Sequence, residues 1–177
     1  MATVQTPIPD FATTRLSLRR WRLSDGPDGG ADRAQDLDAV LTPRVMQHLP
    51  EPLQRPPAGA PLSRWVEDRL AESDLLVVRA REDGRMAGLL ILAAPQEDDR
   101  PMMIHVGYLL GEAEWGKGLA SELVAGLVAA AQTAAPLRLI GGVGLDNPAS
   151  ARVLQKVGFR RDVTLSSADT TLFVCDI

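Results

Sequence analysis

One cysteine and two histidines stand among 177 residues. A lone Cys175 excludes an intrachain disulfide, and so small a stock of Cys and His makes a poor ligand set for a metal. Basic excess is missing too, because the formal net charge is −4. Nucleic acid is usually met by a strongly basic surface, so this balance argues against it as a partner and suits amines or other cations. The longest apolar runs fall far short of the roughly 20 residues that cross a bilayer, which argues against a membrane partner. The opening MATVQTPIPDFATT has neither a basic flank nor an apolar stretch, so no secretion signal is read there. A cytoplasmic protein is the expectation. The wealth of Ala, Arg, Gly and Pro has the look of a high-GC bacterial gene.

What is present is ordinary for a soluble globular protein, with 45% hydrophobic and 24% charged residues. The length suits one domain with a substantial core. Residues 1–13 read as a flexible N-terminal lead-in and 14–177 as a single domain. Alternation of Leu16 and Leu18 with polar neighbours predicts a strand within Arg15 to Leu23. Ala34, Leu37, Val40 and Leu41 have helical spacing, and Pro43 limits that helix. Pro43, Pro50, Pro52, Pro56, Pro57 and Pro61 mark an irregular, stiff segment that holds His48, read as a surface residue. A helix over Ser63 to Glu72 follows, opened by Ser63 as its cap. LLVVRA and MAGLLILAA read as a hairpin turned at Asp83-Gly84, and Met102 to Leu110 as a further strand.

Leu119, Ala120, Leu123, Val124, Leu127, Val128 and Ala131 recur at spacings of three and four, which predicts a covered helix. Leu137 to Gly144 reads as a strand. A helix begins at Asn147-Pro148 and stops at Gly158. RRDVTL and TLFVCDI read as late strands. The order is that of a mixed α/β domain built on one sheet.

Between the strand ending at Leu110 and the helix at Leu119 lies a glycine-rich loop. Gly111 to Gly118 nearly fits the nucleotide-triphosphate pattern G-x-x-x-x-G-K-S/T. Gly118 stands where the magnesium-binding hydroxyl belongs, and too little chain follows for such a fold. The same glycines let a ligand approach the backbone. Free N–H groups from Gly116 to Ser121 at a helix start favour an anion. A diphosphate held without metal fits, and coenzyme A carries one.

Trp115-Gly116-Lys117-Gly118-Leu119-Ala120 resembles the Gln/Arg-x-x-Gly-x-Gly/Ala acyl-CoA loop of the GNAT superfamily of N-acetyltransferases, with Trp115 departing from Gln or Arg. TTRLSLRRW, VGYLLGEAEWGKGLASE and NPASARVLQKVGF resemble segments of the branch that acetylates ribosomal-protein N-termini. The resemblance spans roughly Thr14 to Val174. It implies a single mixed, mostly antiparallel sheet with helices on both faces. It also implies acetyl transfer from acetyl-CoA to a primary amine through a tetrahedral intermediate, with no metal. The acceptor is a protein N-terminus or a small-molecule amine, and homodimers are common among relatives.

Acetyl transfer needs the cofactor held, the amine deprotonated, the oxyanion met by a donor and the thiolate protonated. The resemblance assigns Trp115, Gly116, Lys117, Gly118, Leu119, Ala120 and Ser121 to the diphosphate. It lays the pantetheine arm along Val106, Tyr108 and Leu109, with Asn147 positioning it. It gives Ser150 to the leaving sulfur, because the tyrosine of many relatives is replaced here by Leu154. His105 stands where relatives often carry a glutamate base. Glu112, Glu114 and bulk water are the other routes for that proton. Cys175 has no evident partner base and reads as a quiet thiol. The alternative function is a non-catalytic acyl-CoA-binding or regulatory domain.

Overall fold

The computed structural model describes residues 3–21, 31–50, 53–54, 61–95 and 101–177. Its elements in chain order are β1 (Thr3–Val4), β2 (Phe11–Ala12), β3 (Leu16–Arg20), α1 (Ala31–Val40), α2 (Pro43–Met46), α3 (Leu62–Glu72), β4 (Asp74–Ala80) and β5 (Met86–Pro95). There follow β6 (Met102–Leu110), α4 (Leu119–Ala131), β7 (Leu137–Gly144), α5 (Pro148–Val157), β8 (Arg160–Asp162) and β9 (Thr170–Asp176). The strands form one sheet in the order β2-β3-β4-β5-β6-β7-β9-β8, and β1 pairs with the far end of β5. Every pairing is antiparallel except β6 with β7, whose parallel register needs the α4 crossover.

Alternation along the strands separates two cores. Ile104, Val106 and Leu110 point to a cluster with Leu119, Leu123 and Leu127 of α4 and Leu154 of α5. Leu109 points the other way, into a cluster with Leu37, Val40, Val45 and Trp65 from the first three helices. Fully buried leucines such as Leu123 and Leu127 each contribute roughly 1.5–3 kcal/mol.

The N-terminal segment differs from a flexible lead-in. Ile8 is fully buried, Thr6 donates from its N–H and its hydroxyl to Asp74 at 2.8 and 2.6 Å, and Phe11 pairs with Leu18. Two-residue strands are too short to show a periodicity, so their attachment depends on partners distant in sequence. Helix α3 also begins one residue before Ser63, with Pro61 as its cap and no side-chain capping bond. The turn-rich segment after Trp21 and most of the proline-rich stretch beyond Pro50 lie outside the described residues.

The feature that matters for function is where β6 and β7 part. Their ladder ends at Val106 opposite Gly141. Strand β6 runs on to Leu110 beside β5, and β7 to Gly144 beside β9. Each strand keeps its outer neighbour, and their inner edges face a widening gap. In an extended strand every second residue turns its N–H and C=O toward that gap. Gly88 on β5 lets β6 lie close on that outer side, because a Cβ there would collide with the Leu109 carbonyl.

Candidate active site

A cleft of ≈ 460 Å³ occupies the gap. Its walls come from both faces of the sheet: Arg44, Val45, His48 and Leu49 on one side, and the start of α4 with Asn147, Ser150 and Val153 on the other. Tyr108, Leu109 and Leu110 line it from β6.

One end is the glycine loop. Gly116 and Gly118 have φ of 74° and 76°, a left-handed region that disfavours side chains. A Cβ on Gly116 would meet nothing within 4 Å, so this backbone faces open space. The first bond of α4 runs from Glu122 N to Gly118 O, 3.2 Å, which leaves the N–H groups of Leu119, Ala120 and Ser121 without helical acceptors. Three donors at a positive helix end beside an unobstructed backbone suit a diphosphate.

The loop is braced rather than loose. Arg15 donates to Lys117 O at 3.0 Å and pairs with Glu122 at 2.6 Å. Glu122 also accepts from Thr13 Oγ1 and Arg15 N, at 2.6 and 2.7 Å. Burial works to raise the Glu122 pKa, but these donors outweigh it and hold the carboxyl below its usual range. Trp115 donates to Leu110 O at 2.8 Å, and the Arg44 guanidinium stands 5.2 Å from its ring centroid. Glu112 accepts from Thr42 and Arg44, at 2.6 and 3.2 Å. Glu114 is 3% exposed; its bond from Arg85 first, and Lys117 beside it, hold its carboxyl below the usual range despite burial.

Deeper in the cleft, the Tyr108 hydroxyl lies 2.8 Å from Ser150 Oγ. Asn147 caps α5 by accepting from Ser150 N at 3.1 Å, which fixes the serine at the first turn. Burial pushes the Tyr108 pKa up, against a smaller opposite pull from Ser150. Two hydroxyls, one at the start of α5 and one a phenol on β6 that keeps its proton, can pass a proton to a departing anion.

Residues 15–160 match the acetyltransferase (GNAT) domain family, which is most of the chain. The chain belongs to the GNAT acetyltransferase family. It is an acetyl-CoA-dependent N-acetyltransferase. Solved GNAT structures share its fold. A probable acetyltransferase from Chromobacterium violaceum aligns with a TM-score of 0.74 at 21% identity, over 99% of this chain and 90% of that one. RimL, a ribosomal L7/L12 alpha-N-protein acetyltransferase in complex with coenzyme A, aligns with a TM-score of 0.71 at 19% identity, over 96% and 97%. A spermidine N-acetyltransferase variant from Vibrio cholerae aligns with a TM-score of 0.67 at 15% identity, over 91% and 93%. No match is found among curated protein sequences.

Within this GNAT frame, Tyr108, Leu109, Trp115, Gly116, Gly118, Leu119, Ala120, Ser121, Asn147 and Ser150 all line the cleft. Val106 does not, being buried in the core, and Lys117 turns its ammonium to 3.5 Å from Glu114. His105 is exposed on the opposite face of β6 from Tyr108 and lies outside the cleft lining. Leu154 is 1% exposed, and its Cδ1 would be 2.8 Å from a Cβ at Gly141, so glycine on β7 makes its room. The reading of Cys175 as quiet agrees with a half-buried thiol whose pKa burial raises. Sequence reasoning missed the Tyr108–Ser150 pair and the placement of His48 in the cleft. Tyr108 is the sole tyrosine of the chain, and its alternation with Val106 and Leu110 put it on the α5 face. The distance to Ser150 had no sequence signal.

Proposed function

We propose that this protein transfers the acetyl group of acetyl-CoA to the amine of a monoamine acceptor, with a protein or peptide N-terminus as the best fit. The observation that carries the reading is the Tyr108–Ser150 hydroxyl pair, 2.8 Å apart in the cleft between the parted strands. Bound acetyl-CoA supplies the thioester that is attacked. The backbone from Gly116 to Ser121, aided by the α4 dipole, binds the diphosphate. The inner edges of β6 and β7 align the arm as an added strand would, and the β6 N–H of Tyr108 meets the oxyanion, since alternation along the strand turns that of Leu109 to β5. Ser150, hydrogen-bonded to Tyr108, delivers a proton to the leaving sulfur. These hydroxyls are what a purely regulatory acyl-CoA-binding domain has no need to keep.

The lining argues the acceptor class. Glu114 is the only carboxylate among the described lining residues, and it is already engaged by Arg85 and Lys117. Arg44 adds a positive charge, while Val45, Leu49, Leu109 and Val153 are apolar. A polyamine carries several cations that would find no free partners here, whereas one amine next to an uncharged body fits. The test follows thiol release from acetyl-CoA with alanyl and seryl peptides, an amino sugar and spermidine. Peptide turnover at least tenfold above spermidine is expected. Spermidine as the better acceptor overturns the monoamine reading, and no turnover with any amine overturns the acceptor reading entirely.

A further inference from the structure

His48 and Asp146 are distant in sequence, yet His48 Nδ1 lies 3.0 Å from Asp146 Oδ2. His48 follows α2 and lines the cleft; Asp146 immediately precedes Asn147, which also lines it. The contact bridges the two banks of the cleft at the turn that presents Ser150. That turn is shaped to hold it. Asn147 N donates to Gly144 O at 3.0 Å. A Cβ at Gly144 would stand 2.7 Å from Asp146 Oδ1, so glycine leaves the carboxylate its place. The second ring nitrogen of His48, Nε2, is 2.8 Å from the side-chain nitrogen of Gln47. An ionised carboxylate can only accept, so the Asp146 contact puts the ring proton on Nδ1 and leaves Nε2 as the acceptor. The imidazole is therefore a base held in one tautomer by a carboxylate, with its basic nitrogen met by an N–H donor.

We propose that His48 takes the proton from the acceptor's ammonium group and that Asp146 is the residue positioning it. The inference rests on the acetyltransferase reading above. An entering amine displaces the Gln47 amide and offers Nε2 the same kind of donor. One ammonium proton passes to Nε2, which frees the nitrogen lone pair. The C–N bond forms as the thioester C–S bond breaks. The second proton lost by nitrogen reaches the sulfur by way of Tyr108 and Ser150, and His48 returns its proton to solvent. Ammonium and thioester thus give amide, thiol and one proton. The need is chemical: an α-amino group has a pKa of about 8, so at neutral pH most of it is protonated and unreactive.

Among the described residues, the charged and titratable groups around the imidazole come from four places. Arg44 on α2 is paired with Glu112, Glu114 from the loop is held by Arg85 and Lys117, Tyr108 on β6 is bonded to Ser150, and Asp146 bonds the ring at Nδ1.

The experiment compares His48→Gln, Asp146→Asn and His105→Ala with wild type, measuring kcat/KM against pH with the best acceptor of the peptide and amine set. Coenzyme A affinity is measured by calorimetry alongside. His48→Gln is expected to lose about 100-fold at pH 7, within the usual range for a general base. The deficit narrows as pH rises and solvent removes the ammonium proton unaided, and coenzyme A affinity stays within twofold. Asp146→Asn loses about tenfold with coenzyme A affinity unchanged, and its His48 ring proton is no longer confined to Nδ1 in the nitrogen spectrum. A His48→Gln rate within twofold of wild type, a deficit equal at every pH, or a larger loss from His105→Ala overturns the proposal. Nitrogen NMR of histidine-labelled protein supplies a readout independent of turnover. A ring proton on Nδ1 of His48 is expected, and one on Nε2 overturns the dyad. If no amine turns over while coenzyme A still binds, the acceptor reading fails and the ring-proton position alone decides the dyad.

Discussion

The Tyr108 phenol donates to or accepts from Ser150 Oγ across 2.8 Å, joining the middle strand of the sheet to the start of α5. Neither residue is redundant if the pair acts as one proton relay. Tyr108→Phe and Ser150→Ala should each lower kcat by about 100-fold while coenzyme A affinity changes less than twofold. The double variant should be little slower than the worse single one, because both remove the same path. The Tyr108 pKa is raised above the ordinary tyrosine value by burial, so the phenol keeps its proton further into alkaline solution. The alkaline limb of kcat should therefore lie above the range of a free tyrosine, about 10. Additive losses, or a fall in affinity that matches the fall in rate, would show two separate roles instead.

Gly116 offers a test of the diphosphate cradle that spares the core. Its φ of 74° costs a non-glycine residue about 1–2 kcal/mol, and an added Cβ would meet nothing of the protein. Gly116→Ala should therefore lower Tm by only a few degrees. The added methyl enters the space where the ligand approaches, so calorimetry should show coenzyme A binding at least tenfold weaker. Unchanged binding with the same small Tm loss would remove this loop from the cofactor site.

Much of the fold was legible because its signals are local. The periodic apolar positions of α4 sit on the buried face, with Leu119, Leu123, Val124 and Leu127 all in the core. Strands β6 and β7 have the expected ends, Met102 to Leu110 and Leu137 to Gly144. Asn147 and Gly158 cap α5 as their residue types imply, the latter at φ 105°. What sequence could not give was contact across the chain. Thr6 meets Asp74, Arg15 meets Lys117, and His48 meets Asp146, each through polar atoms whose pairing leaves no periodicity. The candidate site divides the same way: the glycine loop is contiguous and was legible, whereas the hydroxyl pair and the imidazole–carboxylate pair exist only after folding.

Glu122 ties the loop to the N-terminal hairpin, and its ionisation should be visible in stability. Its folded-state pKa is depressed, so the stabilisation is fully present above the unfolded carboxyl pKa and is lost as pH falls through the lower folded value. Glu122→Gln should cost about 1.5–3 kcal/mol at pH 7, the range for hydrogen bonds to a charged group. The difference from wild type in urea denaturation should shrink as pH falls below the ordinary glutamate value of about 4.3 and on through the lower folded one. A difference independent of pH would mean that shape, not charge, holds the clamp.

Leu154 occupies the helix position at which the GNAT resemblance implies a tyrosine, and placing that residue there is an informative failure. The leucine is 1% exposed and packs against Gly141, whose missing side chain is the reason it fits. A tyrosine there must push β7 aside or rotate out of the core. Overpacking of this kind costs about 1–3 kcal/mol, and the phenol would also need a buried partner. Leu154→Tyr should therefore lower the urea midpoint and should not rescue Ser150→Ala or Tyr108→Phe. Rescue of either variant at wild-type stability would place the departing sulfur beside α5 at this second turn, and would move the proton donor away from the Tyr108–Ser150 pair.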